Sequence, residues 1–336
     1  MFQMVIFFLA FWVGCAIPSV AQSDLEFWRN AKGYLACQSD LAFRQSESVL
    51  DAFPPTSPDA ASRRLALLQL DVLLHDAALD TASCLRDYVA RRAHRVASCL
   101  SRPVSGDSVR VCKVYNHGFV VKDRYATIAF DLYSGFCGGQ RLIPQELMDE
   151  IVSQCDILFI SHGHADHADP SVVKQFLAEG KTVVAPDGVL PDLHGLVRVR
   201  EEDGPCRRSF AVGKRKLTVD ILPGHQEDVS NNVYLVTCPG GKSVMHTGDQ
   251  YSESDLSRLP SLASTLVRPD VLLVNCWALR VRSFVSSLRP KAVVTGHENE
   301  MGHGIDHREA FWMSLSKLDG LSCPLRVMSW GEWADF

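Results

Sequence analysis

Residues 161–167 read Ser-His-Gly-His-Ala-Asp-His and place three imidazoles and one carboxylate within six positions. They follow the run 156–160, Asp-Ile-Leu-Phe-Ile. A short apolar run predicts a buried strand, and the glycine and aspartate after it indicate a loop at its end. His162 and His164 are two positions apart, so an extended or turning backbone is needed to aim both rings at one ion. The stretch therefore predicts a metal site on a strand-end loop, dense enough in ligands for two metals.

Three later residues offer further ligands, each at the end of an apolar run. The run 220–222 breaks at Pro-Gly and leaves His225 at a predicted turn. Asp249 and His297 each follow Thr-Gly, and the carboxylate of Asp249 can bridge two cations. Taken alone, each could be an ordinary turn residue, and a histidine-rich tract could be a metal-binding patch without chemistry. Together they predict one ligand set: His162, His164 and His225 at the first metal, with Asp166, His167, Asp249 and His297 at the second.

These motifs, taken in their order along the chain, resemble those of the metallo-β-lactamase superfamily over roughly residues 104 to 336. The resemblance implies an α/β fold, a four-layer α-β-β-α sandwich with the site at one edge between the two sheets. It also implies an acidic residue at an early strand end, which Asp131 matches. A buried carboxylate there would accept a ring N–H from a ligand histidine and fix its tautomer. The alternative for Asp131 is a turn cap.

The ligand types favour some branches of the superfamily over others. True β-lactamases generally lack a bridging aspartate where this chain has Asp249, so the chain is more similar to the phosphodiesterase, lactonase and thioesterase branches. Flavo-diiron relatives carry an acidic residue where this chain has His164, which disfavours a redox role. The stretch 116–121, Asn-His-Gly-Phe-Val-Val, is also similar to the branch of L-ascorbate-6-phosphate lactonase and N-acyl-phosphatidylethanolamine phospholipase D. Alternatively, His117 is an ordinary strand residue.

The predicted ligand set indicates hydrolysis. Two divalent cations can hold a bridging hydroxide, which would attack a small ester, lactone or phosphodiester without a protein nucleophile. We expect zinc, although the same ligands accept iron or manganese. Asp166 is a catalytic candidate, because a carboxylate beside the hydroxide can orient it and relay a proton. The rival hypothesis is a catalytically inactive metal- or ligand-binding protein of the same fold.

A polar stretch after His297 supplies a second catalytic candidate, His303, which would donate a hydrogen bond to a substrate oxygen. In the same stretch Arg308 would pair with an anionic group of the substrate. The alternative is that residues 305–318 form one amphipathic helix whose first turn is polar. Other conspicuous residues are expected to be structural: Cys137 and Cys276 as small buried side chains, and His75, His94 and His194 as surface residues.

The N-terminus indicates export. The apolar run 5–14 is too short for a comfortable membrane span, and it is followed by Pro18 and by Ser-Val-Ala at 19–21. This order predicts a signal peptide over residues 1–21, and hence a periplasmic or extracellular protein. Lipidation at Cys15 and a membrane anchor are the alternatives. The ten further cysteines could pair in an oxidising compartment, in a connectivity that their spacing does not reveal.

The rest of the chain divides into two parts. Residues 22–103 show helical spacing of apolar residues, interrupted by the proline-rich stretch 53–58, and predict a small helical segment. Residues 104–336 alternate short strands with helices, as expected of the layered hydrolase domain. The net charge of −5 gives no basic surface to follow a phosphate backbone, so nucleic acid is disfavoured and a small-molecule substrate is expected.

Overall fold

The structure, a computed structural model, describes residues 30–200, 203–278 and 280–336. The predicted signal peptide over residues 1–21 and its alternative, lipidation at Cys15, lie outside the described residues. Within the described ranges, no helix has both the length and the apolar character needed to cross a membrane. None of the cysteines in these ranges forms a disulfide.

Three helices open the described chain. They are α1 (Ala31–Ala52), α2 (Ala61–Leu74) and α3 (Ser83–Leu100). Asn30 begins α1 by accepting a hydrogen bond from the Gly33 backbone N–H at 3.1 Å, as N-cap residues do. The helical segment does not have a core of its own: its apolar side chains share one buried cluster with the outer face of the first sheet.

The first sheet contains seven strands. In chain order they are β1 (Arg110–Tyr115), β2 (Gly118–Lys122), β3 (Thr127–Phe130), β6 (Ile157–Phe159), β7 (Thr182–Pro186), β8 (Val197–Val199) and β16 (Trp333–Asp335). Their spatial order is β16-β1-β2-β3-β6-β7-β8. The last four strands in this order, β3, β6, β7 and β8, run parallel to one another. A small hairpin, β4 (Phe136–Cys137) and β5 (Gln140–Arg141), stands apart from it.

The second sheet also contains seven strands. They are β9 (Cys206–Val212), β10 (Arg215–Gln226), β11 (Val229–Thr237), β12 (Ser243–His246), β13 (Val271–Asn275), β14 (Ala292–Gly296) and β15 (Leu325–Arg326). They lie in the order β15-β14-β13-β12-β11-β10-β9, with β12 to β15 parallel. The remaining helices are α4 (Gln145–Ser153), α5 (Pro170–Ala178), α6 (Glu253–Ala263), α7 (Val281–Leu288) and α8 (Phe311–Leu318).

Alternating side chains stack these elements in four layers. Along β2, Phe119 and Val121 point into the core between the sheets, whereas Val120 points to the helices outside the first sheet. A third cluster joins the second sheet to α6 and α7. The predicted α-β-β-α sandwich with a helical N-terminal segment is therefore confirmed. Because β3, β6, β12, β13 and β14 end at one edge, the loops that follow them meet there.

Two details of the sequence analysis are wrong. Strand β10 does not break at Pro223 but continues to Gln226, paired with β11. Its pairing with β9 ends at Ile221, so Pro223 lies on an edge where no second strand needs its missing N–H. Residues 305–318 do not form one helix either, because a 3₁₀ turn at Ile305–His307 is separated from α8.

A buried ion pair joins the helical segment to the end of the chain. Arg63 on α2 is fully buried, and its two terminal nitrogens lie 2.6 Å from the two carboxylate oxygens of Glu332. It also donates to the carbonyls of Val327 at 2.7 Å and Phe53 at 3.2 Å. Removing one partner of such a pair leaves a buried charge uncompensated.

We therefore expect Arg63→Leu to lower the free energy of unfolding by about 3–5 kcal/mol in denaturant titrations. The matched control is Arg44→Leu on α1, since Arg44 pairs with Asp40 at 2.8 Å but is 58% exposed. That control should change stability by about 0–1 kcal/mol. Equal losses for the two variants would contradict this assignment.

Candidate metal centre

The strand-end loops bring six of the seven predicted ligands together. One group of close ligand atoms comes from His162, His164 and Asp249, and another from Asp166, His167 and His297. Within each group the ligand atoms lie within 4.8 Å of one another. Asp169 ends the histidine-rich loop, because its Oδ1 accepts the Ser171 backbone N–H at 2.8 Å and begins α5.

Hydrogen bonds on the far side orient two of these rings. His167 Nδ1 lies 2.7 Å from Asp131 Oδ2, the contact that the resemblance implies. His162 Nδ1 lies 3.0 Å from Ser161 Oγ, which itself donates to Asp131 Oδ2 at 2.5 Å. The Nε2 atoms of both rings are buried and face the same carboxylate, since Asp249 Oδ2 lies 3.2 Å from His167 Nε2 and 3.7 Å from His162 Nε2. A ring anchored through Nδ1, with Nε2 turned to its neighbours, is the arrangement of a metal-ligating histidine.

Asp249 lies between the two groups. Its Oδ2 is close to three ring nitrogens, namely Nε2 of His167 at 3.2 Å, of His297 at 3.4 Å and of His162 at 3.7 Å. Its Oδ1 accepts a hydrogen bond from Asn275 Nδ2 at 2.5 Å, which fixes the plane of the carboxylate. This oxygen therefore lies close to ligand atoms of both groups.

Asp166 faces the second group. Its Oδ2 lies 3.2 Å from His297 Nε2 and 3.3 Å from His167 Nε2. Asn116 donates to the same oxygen at 3.0 Å. The backbone carbonyl of Asn116 also accepts a hydrogen bond from the His297 backbone N–H at 3.2 Å. One residue of the β1–β2 turn thus contacts ligand candidates that follow strands of both sheets. No pattern in the sequence marks Asn116 for this role.

Burial and charge set the protonation of the centre. Burial lowers the pKa of His162 to about 3, which leaves this ring neutral at pH 7. Burial also lowers the pKa of His297, but the carboxylates of Asp249 and Asp166 outweigh it and raise that pKa to about 10. Burial raises the pKa of Asp249, and the opposing charges of His167 and His297 hold it well below its usual range. The charges of these rings and carboxylates thus support one another: the same carboxylates raise the pKa of His167 well above its usual range, against the effect of burial.

His225 is the predicted ligand that lies outside these groups. Strand β10 carries it two residues beyond Pro223, and its Nδ1 lies 2.9 Å from Asp255 Oδ2 on α6. Its backbone N–H donates to Gln250 Oε1 at 3.1 Å. Among the described residues, His225 does not belong to any of the groups of clustered ligand atoms. The Asp255 contact is nonetheless of the same kind as the one that orients His167.

Comparison with known proteins identifies the family. Residues 110–294 match the family described as a β-lactamase superfamily domain. The chain belongs to this superfamily. The match covers the histidine-rich loop and Asp249, and it excludes the helical segment and His297. No curated protein is similar enough in sequence to match the chain.

Solved structures of other proteins share the fold, as two examples show. Igni18, described as a novel metallo hydrolase from the hyperthermophilic archaeon Ignicoccus hospitalis, aligns with a TM-score of 0.52 at 18% identity, over 68% of this chain and 98% of that one. An isothiocyanate hydrolase from Delia radicum gut bacteria aligns with a TM-score of 0.50 at 13% identity, over 68% and 98%. At these identities the likeness shows the metallo-β-lactamase fold.

A cavity of about 590 Å³ opens over the metal centre. His164, Asp166, Asp249 and His297 line its floor, and His303 lies in its wall. Burial lowers the pKa of His303, so this ring is neutral at pH 7. The wall also contains Tyr251 and Trp277, which no spacing or strand-end pattern in the sequence marks, and His307, which belongs to the polar stretch expected to line the substrate pocket. Trp277 and His307 stack with their ring planes 12° apart.

The loop that carries His303 is held by Arg308 and the helical segment. The Arg308 guanidinium pairs with Asp80 through two contacts of 2.9 Å, and its other N–H groups reach the carbonyls of Leu74, His303 and Met301. An arginine has five N–H donors, and all of them are used here. The expectation that Arg308 binds an anionic group of the substrate is therefore wrong.

Asp71 on α2 and His75, directly after the end of that helix, also hold the loop that carries His303. Asp71 accepts hydrogen bonds from Asn299 Nδ2 at 2.9 Å and from the backbone N–H groups of Phe311 and Trp312. His75 Nε2 lies 2.7 Å from the Arg308 carbonyl oxygen. His75 is thus half-buried and bonded rather than a surface residue, whereas His94 and His194 are exposed as expected.

Metal binding should release protons, because neighbouring carboxylates raise the pKa of His167 and of His297, so that a cation competes with protons for these two rings. In calorimetric titrations with Zn²⁺ at pH 7, the binding enthalpy should change with the ionisation enthalpy of the buffer. The apparent affinity should fall as the pH falls, since protons compete with the metal for the rings. A binding enthalpy identical in all buffers would show that these rings are neutral before binding. His94→Gln, a change at an exposed ring, should leave both results unchanged.

The Asp80 contact gives a second prediction. Asp80→Asn removes the charge opposite Arg308, so the backbone amides of His303 and His307 should exchange with deuterium about five- to thirtyfold faster. The matched control is Asp40→Asn on α1, because Asp40 also pairs with arginine and its exposure of 30% is close to the 25% of Asp80. If deuterium exchange of these amides rises equally in both variants, the stability of the loop depends on the helical segment as a whole and not on the pair of Asp80 with Arg308.

Proposed function

We propose that the protein is a binuclear metal-dependent hydrolase that acts on an ester, lactone or phosphodiester, with Zn²⁺ as its metal. One observation carries the proposal. Asp249 Oδ2 lies within 3.7 Å of ring nitrogens from both groups of ligand atoms, the one with His164 and the one with Asp166. A carboxylate in that position suits two cations, and oxygen and imidazole ligands without thiolate suit zinc.

The buried side chains fit such cations. The buried Nε2 atoms of His162 and His167 would each gain a ligand bond, and the charges of Asp166 and Asp249 would be compensated. His164 and His297 would complete the two groups. We include His225 as a seventh ligand, since its contact with Asp255 supports a ring that binds through the opposite nitrogen. When bound, a pair of cations lowers the pKa of water and polarises the oxygen under attack.

Two residues are proposed to handle protons. Asp166 lies at the floor of the cavity, where its carboxylate would orient the attacking water and relay a proton to the leaving group. Asn116 Nδ2 holds Asp166 Oδ2 in place at 3.0 Å. His303 is neutral and lines the same cavity, so it would donate a hydrogen bond to the substrate oxygen that gains charge.

The test is a substrate screen on the metal-loaded protein. A phosphodiester, a lactone and a thioester are offered with and without chelator, and we expect chelator-sensitive turnover of at least one. Asp249→Asn should reduce both the metal content and this turnover, the latter by more than about a thousandfold. Absence of turnover on every class, with metal still bound, would favour a binding protein of the same fold.

His303 gives a separate prediction. His303→Ala should lower kcat by about 10²- to 10⁴-fold while the metal content stays that of the unaltered protein, because the ring donates to substrate and does not hold the metal. His94→Ala serves as a control, since His94 is exposed on α3. A loss of metal in His303→Ala would instead make His303 a ligand. An unchanged kcat would remove it from the reaction.

The proposed location is outside the cytoplasm. Its support is the apolar run 5–14 and the small residues at 19–21, which together have the order of a signal peptide. Mass determination of the mature N-terminus after expression with its own leader tests the proposal. A chain that begins at Gln22 supports it, and a lipid-modified Cys15 supports the anchored alternative.

A further inference from the structure

A cavity of about 720 Å³ lies at the edge of the second sheet opposite the metal centre. Two of its arginines come just before strands, since Arg268 precedes β13 and Arg289 precedes β14. These strands are parallel, so their beginnings share one edge, whereas His297 follows the end of β14 at the other edge. The cavity is therefore separate from the metal centre. We call it the arginine cavity and define it by these lining residues: Arg268, Arg282, Ser286, Arg289 and Ser322.

Backbone carbonyls hold two of the arginines in place. The Arg268 guanidinium donates to the carbonyls of Arg289 and Pro290, the latter at 3.5 Å. Arg282 on α7 donates through Nη1 to the carbonyl of Asp319, directly after α8, at 2.6 Å. An arginine has five N–H donors, so each of these contacts uses only a part of the guanidinium. The remaining donors of Arg268 and Arg282 are available to a ligand in the cavity.

Arg289 is the third arginine of the cavity and lies directly after the C-terminus of α7. It is exposed, and its side chain makes no hydrogen bond or ion pair within the described part of the chain. Its backbone carbonyl holds Arg268, so these two arginines are neighbours in the cavity wall. A change of the Arg289 side chain therefore removes donors from the cavity without breaking a contact of the fold.

The arginine cavity has three positive charges and, among the described residues that line it, no carboxylate. A second arginine-rich cavity, of about 750 Å³ between α1 and α3, differs in this respect. There each arginine pairs with a carboxylate at 2.7–2.8 Å: Arg44 with Asp40, Arg91 with Glu47 and Arg95 with Asp51. On a chain of net charge −5, a cavity with uncompensated positive charge attracts an anion.

We propose that the arginine cavity binds a small soluble anion that carries at least two phosphoryl groups. The planar guanidinium presents paired N–H donors that match two oxygens of one phosphoryl group. Each phosphoryl group brings up to about two negative charges and three acceptor oxygens, so two such groups suit three arginines. The volume of the cavity falls in the range of small-molecule sites. This proposal does not depend on the hydrolase function, because binding at this edge is measured without turnover.

Calorimetric titration with inorganic pyrophosphate tests the proposal. The unaltered protein should bind it with a Kd below about 1 mM at low salt, and added salt should weaken binding by screening the charges. Arg289→Gln should weaken binding at least about tenfold, because charge-assisted hydrogen bonds are lost. Arg289→Lys should weaken it less, since lysine keeps the charge but not the paired donors. The matched control, Arg44→Gln, removes the same charge from the balanced cavity and should leave the affinity unchanged.

The metal centre can also attract pyrophosphate, so the titration is repeated on Asp249→Asn. Its pyrophosphate affinity should equal that of the unaltered protein, because Asp249 lies at the other edge of the sheet. If binding is lost in Asp249→Asn and kept in Arg289→Gln, the anion binds at the metals and the proposal is wrong. Failure of the unaltered protein to bind pyrophosphate, or equal losses in Arg289→Gln and Arg44→Gln, would overturn it as well.

Two further measurements decide the kind of anion. Citrate is a tricarboxylate of similar charge, and tighter binding of citrate than of pyrophosphate would contradict the preference for phosphoryl groups. Sedimentation with phosphatidylcholine vesicles, with and without phosphatidic acid, tests a lipid as the source of the phosphoryl group. If the protein sediments with the phosphatidic acid vesicles through Arg289 and does not bind pyrophosphate, the ligand is a lipid surface and the soluble anion is excluded.

Discussion

The buried carboxylate of Asp249 is the contact on which the whole arrangement depends. Its Oδ2 lies close to ring nitrogens of His162 and His167, which follow a strand of the first sheet, and of His297, which follows a strand of the second. A buried charge is expensive unless it is paired, so the strand ends that present these groups must stay in register. The inner core between the sheets fixes that register, because large side chains from both sheets, among them Phe119, Phe130 and Tyr234, are fully buried in it. Packing of the sandwich and placement of the ligands are thus one constraint.

The helical segment extends this constraint beyond the family region. Its helices share a core with the first sheet, and Arg63 and Asp71 reach across to the C-terminal part of the chain. Asp80 and His75 then hold the loop that carries His303. A segment with these contacts is a structural part of the site. Its removal would expose the outer face of the first sheet and release the His303 loop together.

Much of this could be predicted from the sequence, for a physical reason. Ligands that follow short apolar runs must appear at strand ends, and parallel strands bring their ends to one edge, so the cluster around Asp249 follows from local pattern. Other features depend on contacts distant in sequence. The pairing of Arg308 with Asp80 joins residues 228 positions apart, and Trp277 enters the cavity wall through the path of β13. Pro223 was misjudged because edge strands tolerate a residue without an N–H.

Backbone strain explains why the site needs such restraints. Asn116, Asp131, His297 and Asn299 all have positive φ, between 43° and 72°. Left-handed conformations of non-glycine residues cost about 1–3 kcal/mol each and persist only where surrounding contacts fix them. Here the Asn116 carbonyl accepts the His297 N–H, Asp131 is bonded to Ser161 and His167, and Asn299 is held by Asp71. The last of these restraints comes from the helical segment, so that segment stabilises the turn through which His297 enters the centre.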